Sequence, residues 1–150
     1  MKTILLVGPK HCGKTTTMNF VYDKIKPQAE VLEPWEQLEE ASTKDFRAVL
    51  KYKNKTIAFY SSGDRLGVVK KEIEKHKCRI DINIDILIIC IRDFKRLGSL
   101  KNNQDHIFIK KEKKKESIPS LYKQANDKYC EKIIEMLNQV IISLTAGVSK

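Results

Sequence analysis

Residues 8–15 read Gly-Pro-Lys-His-Cys-Gly-Lys-Thr, and their flanks leave the chain few ways to fold. Before them, Thr3-Ile4-Leu5-Leu6-Val7 is an apolar run of strand length. After them, Met18, Val21, Tyr22 and Ile25 recur at helical spacing until Pro27 stops the pattern. A buried strand that passes through a glycine turn into a helix points to an α/β layered fold. The glycines let the backbone wrap inward so that successive N–H groups face one centre, where a side chain would block an occupant. At a helix start, such a concavity suits an anion.

The spacing is G-x-x-x-x-G-K-[ST], and in this strand–loop–helix setting the segment resembles the P-loop NTPase superfamily. The resemblance reaches to about residue 26. It implies that Gly8, Pro9, Lys10, His11, Cys12, Gly13, Lys14, Thr15 and Thr16 surround the phosphates of ATP or GTP. Lys14 should reach the β- and γ-phosphates, and the Thr15 hydroxyl should take a Mg²⁺ position. The motif is specific for phosphate binding and unspecific for the reaction, since kinases, GTPases and ATPases share it.

A length of 150 residues suggests one domain, 1–150, and 41% hydrophobic content can build its core. No apolar run is long enough for a membrane span. The N-terminus enters a strand directly, without the charged and apolar regions of a signal peptide, so the expected location is the cytoplasm. Cys12, Cys78, Cys90 and Cys130 are widely spaced, with no C-x-x-C, which argues against a zinc site or a disulfide framework. Cys90 reads as a small core residue. The net charge of +10 comes mostly from lysines spread along amphipathic helices, with the densest cluster at 110–116. That cluster suits nucleic acid or an acidic protein partner. Nothing aromatic is interleaved, however, so a solvated loop is the favoured reading and nucleic acid is not.

Further on, Ala29–Glu33 reads as a short extended piece broken by Pro34-Trp35, and 36–42 as a loop or short helix, the segment expected to move. Phe46, Ala48, Leu50 and Tyr52 alternate with mostly polar neighbours, Lys53-Asn54-Lys55 turns the chain, and Thr56–Tyr60 is a second strand. So short a connection requires an antiparallel hairpin. Leu66, Val69, Ile73 and His76 mark a helix, and Ile86–Ile91 a strand covered on both faces. His106–Ile109 is a further strand, and Tyr122 to Leu144 hold helical spacing. The expected fold is an α/β three-layer sandwich, P-loop NTPase-like, with a mostly parallel sheet of about five strands and one antiparallel hairpin strand. The nucleotide would then sit at the carboxyl ends of the strands.

The hairpin followed by a glycine-bearing loop resembles the layout of small GTPases, where D-x-x-G senses the γ-phosphate. Asp64-Arg65-Leu66-Gly67 matches it literally. Strand position favours another register, with Ser61-Ser62-Gly63 in that place and no carboxylate for Mg²⁺. In either register Gly63 can offer its N–H to a γ-phosphate. Ser61 or Ser62 could hold a Mg²⁺-bound water, and Thr43 could serve as a ligating threonine. With the literal D-x-x-G match, the resemblance names Lys14, Gly63 and Asp64 as catalytic and Thr15 and Asp64 as metal-linked, and a resemblance to small P-loop kinases adds Asp93 as a metal-linked carboxylate. The guanine-reading N-K-x-D is missing, since that region reads Ile109-Lys110-Lys111-Glu112, so ATP is at least as well supported as GTP. Motor-type ATPases with an extra central strand carry an Asp-Glu pair after an apolar run, and none occurs here.

The expected function is Mg²⁺-dependent triphosphate binding with slow hydrolysis or a switch response, in which the γ-phosphate orders 34–45 and 61–68. A small P-loop kinase is the alternative, with Arg92 and Arg96 on a lid and Asp93 as base or metal carboxylate. A non-catalytic module binding nucleic acid or an acidic partner is the third reading. It predicts salt-dependent binding that ignores nucleotide.

Overall fold

The apolar segments assemble into one sheet in a computed structural model that describes residues 1–9, 13–38, 45–62, 66–92, 98–111 and 119–148, with backbone alone at 98, 99, 119–126, 147 and 148. In chain order the strands are β1 (Lys2–Gly8), β2 (Glu30–Gln37), β3 (Phe46–Tyr52), β4 (Lys55–Tyr60), β5 (Ile86–Arg92) and β6 (His106–Lys110). The helices are α1 (Lys14–Ile25), α2 (Leu66–Lys77), the short α3 (Gly98–Lys101) and α4 (Pro119–Val148). A 3-10 turn over Lys26–Gln28, with Pro27 inside it, ends α1.

The strand order is β2-β3-β4-β5-β1-β6. β4, β5, β1 and β6 are parallel neighbours, β3 is antiparallel to β4, and β2 is antiparallel to β3. The fold is thus α/β around a mixed sheet in which β3 alone runs against the other strands. Side chains alternate between the faces. Ile4, Leu6, Phe59, Ile88 and Cys90 pack under α1 and α4, against Met18, Val21, Tyr22, Ile133 and Leu137. Leu5, Val7, Ala58, Leu87 and Ile89 pack on the other face against Val69 and Ile73 of α2. Covered on both sides, β5 can be apolar from Ile86 to Ile91, with only Arg92 at its end charged.

The hairpin forms as expected. Its two turn residues, Lys53 and Asn54, have φ of 50° and 64°. This is the left-handed pair that matches the twist of the flanking strands, and asparagine tolerates it better than lysine.

The expected count of about five strands is corrected by β2. Pro34-Trp35 does not break this segment, and Gln37 still pairs with Phe46. Proline is tolerated because β2 is an edge strand and its register shifts on both sides of Glu33, leaving no regular ladder bond to lose. The same irregularity discourages pairing with a second chain. Residues 34–37, read from sequence as part of the moving segment, are therefore strand.

On the α2 face, Arg79 ties the turn after α2 to this edge strand. Its guanidinium donates to both Glu33 carboxylate oxygens at 2.9 and 2.7 Å and to both of Asp81 at 3.0 and 2.6 Å. Hydrogen bonding from Arg79 holds the Glu33 carboxyl below its ordinary 4.5 and the Asp81 carboxyl, ordinarily 3.8, down to about 2. Depressed carboxyls contribute stability that is fully present above their unfolded values and lost as pH falls through their folded ones. Melting temperature should accordingly drop as pH falls from about 4.5 toward about 2, and Arg79→Ala should remove that part of the drop. Equal acid sensitivity of the two proteins would show that the clasp contributes nothing. Among the described residues, no helix is long and apolar enough to cross a membrane.

Candidate functional site

β1 ends at Gly8, beside Arg92 at the end of β5 and next to the start of α1. Gly13 caps that helix with φ 87° and ψ 24°, a left-handed conformation that glycine adopts without strain. Its carbonyl accepts from Thr17 N–H at 2.9 Å, closing the first turn. Lys14 reaches back to the end of β1 and donates to the carbonyls of Gly8 at 2.9 Å and Pro9 at 2.8 Å. The ammonium is thus held between the end of β1 and the start of α1, where the helix also carries partial positive charge.

The other half of the site comes from the hairpin. Because β3 is antiparallel, it begins at the sheet edge where β1 and β4 end, with Arg47 opposite Tyr60. Asp45 immediately precedes β3. Its Oδ1 accepts from Thr15 Oγ1 at 2.6 Å and from Ser61 Oγ at 3.2 Å. Ser61 is almost fully buried. Its hydroxyl oxygen accepts from Phe46 N–H at 2.8 Å, and its own N–H donates to the Phe46 carbonyl at 3.0 Å. Thr15, Ser61 and Asp45 therefore converge on one point at the carboxyl edge of the sheet.

A second layer supports them. Asn19, one turn along α1, donates to the Thr15 carbonyl at 3.0 Å and accepts from the Trp35 indole at 3.0 Å. Trp35 lies nearly parallel to Phe46, with ring centroids 5.7 Å apart.

Gly8, Pro9, Gly13, Lys14, Thr15 and Thr16 sit together at the end of β1 and the start of α1. Lys10, His11, Cys12, Thr43, Gly63, Asp64, Asp93, Arg96 and Glu112 lie outside the described residues. Sequence reading missed Asp45. The usable signal was the hairpin itself, since the residue before its first strand must lie beside the residue after its second. It also missed Lys111, counted with the solvated cluster. That residue is buried, its N–H donates to the Val7 carbonyl at 2.6 Å, and its ammonium stands 4.3 Å from the centre of the Tyr129 ring.

Two other features are accounted for by structure alone. An opening of about 470 Å³ lies between β2–β4 and α2, but its arginines are paired, Arg47 with Glu36 and Arg79 with Glu33 and Asp81. Cys90 and Cys130 are buried, and burial pushes the Cys130 thiol up to about 11, which makes it unreactive. Set against known proteins, the chain matches no family model, no curated protein and no solved structure.

Proposed function

We propose that the chain binds a nucleoside triphosphate, ATP or GTP, together with Mg²⁺, and couples it to slow hydrolysis or a switch-like response. The observation that carries this reading is the placement of Lys14. It is held across the Gly8 and Pro9 carbonyls at the start of α1, within a loop of G-x-x-x-x-G-K-T spacing. An ammonium held by neutral carbonyls can exchange them for phosphate oxygens and gain charge-assisted bonds.

The donor set suits Mg²⁺. Thr15, Ser61 and Asp45 offer hard oxygens only, and no group of three or more His, Cys, Asp or Glu among the described residues forms a closed metal cage. Mg²⁺ characteristically binds through one or two protein oxygens, waters and substrate phosphates. When bound, it would neutralise charge developing on the phosphates. The order β4-β5-β1 sets β5 between the loop strand and the strand ending at Tyr60. This supports the layout of ATPases with an extra central strand over that of small GTPases, while the Asp-Glu pair of those ATPases does not occur in the sequence.

The test is calorimetric titration with ATP, GTP and their diphosphates, with and without Mg²⁺. One triphosphate should bind tightly, more tightly with Mg²⁺ and more tightly than its diphosphate. Binding of none of them would overturn the reading.

A second reading has one observation in its favour. Arg92 is the strand partner of Gly8, so its backbone lies beside the loop. A phosphotransferase could use it on the transferred group, with ADP released only when an acceptor is present and release lost in Arg92→Ala.

A further inference from the structure

We propose, on the basis of the nucleotide-binding reading, that Asp45 is the Mg²⁺-linked carboxylate of this site, supplied by the antiparallel strand β3, and that Ser61 is the positioning residue that aims it. The sequence offers no carboxylate directly after β4, where Tyr60 is followed by Ser61-Ser62. The charge is brought in from the neighbouring strand, whose reversed direction puts its first residues at the same sheet edge.

The hydrogen bonds assign the roles. Thr15 donates its hydroxyl proton to Asp45 Oδ1, which leaves the lone pairs of its oxygen for a cation. Ser61 spends its proton on the same Oδ1 while its oxygen accepts from Phe46 N–H. Two donors on Oδ1 fix the plane of the carboxylate. Oδ2 receives no hydrogen bond among the described residues and remains able to accept from a water on the metal. Ser61 thus stands where a carboxylate could have followed β4, and acts through Asp45 instead.

The experiment is titration of the full chain with ATP and with GTP, once in MgCl₂ and once in EDTA, for wild type, Asp45→Asn and Ser61→Ala. Wild type should bind more tightly in MgCl₂. Asp45→Asn should match wild type in EDTA and lose about ten- to a hundredfold of the gain from Mg²⁺. Ser61→Ala should lose a smaller part of that gain, again without change in EDTA. A merely structural Asp45 would weaken binding equally in both buffers, and that pattern would overturn the proposal. So would a full Mg²⁺ gain in Asp45→Asn, which would leave the nucleotide reading standing. A wild type that binds no triphosphate would overturn both. If Asp45→Asn does not fold, Ser61→Ala decides, since an undiminished Mg²⁺ gain in that variant contradicts the positioning role.

Discussion

Lys14→Ala should bind triphosphate at least about thirtyfold more weakly than wild type while melting within a few degrees of it. The two halves of that result have separate causes. Without nucleotide, the ammonium donates to the Gly8 and Pro9 carbonyls of its own loop. Each such bond contributes about 1 kcal/mol net, and water can replace the lost donor at a partly exposed site. With nucleotide, the same group would meet phosphate oxygens. Truncating one member of such a charged pair costs about 2–5 kcal/mol. Calorimetry beside a thermal melt separates the effects. Equal affinity in the two proteins would remove Lys14, and with it the motif, from the binding site.

The second large effect concerns stability. Phe46→Ala should lower the unfolding free energy by about 3–5 kcal/mol, measured by urea titration. Phe46 is fully buried and stands where three aromatic contacts meet. Tyr22 approaches it edge-on at 5.7 Å, Phe59 lies at 6.2 Å, and Trp35 stacks at 5.7 Å. Removing the ring leaves a cavity walled by rigid side chains that close it poorly. Against a typical total of about 5–15 kcal/mol, the loss would leave a marginal protein. Its backbone also holds Ser61, so the damage should spread to the site. A loss below about 1 kcal/mol would show that the ring is not the keystone of that corner.

Elements whose signal is local were readable from the chain. The hairpin, α2, β5 and the run from β1 into α1 each announce themselves by periodicity or by a glycine loop, and each stands where that signal put it. β2 was obscured because Pro34 is a local veto that an edge position lifts, and edge position is a property of the assembled sheet. Strand order was equally hidden, since nothing local says that β5 inserts between β1 and β4. The loop half of the candidate site is contiguous and was plain. Asp45 lies 30 residues from Thr15, and its partner became visible only once the reversed direction of β3 was placed in the sheet. Lys111 looked like one more surface charge because burial over Tyr129 depends on α4.

Trp35 is the chain's only tryptophan. Its indole N–H reaches Asn19, which in turn grips the carbonyl of Thr15, and its ring rests on Phe46. The protein therefore carries its own optical probe, wired to the start of α1 on one side and to the Asp45–Ser61 corner on the other. Its emission can be followed in real time during rapid mixing with a nucleotide, with no dye and no labelling.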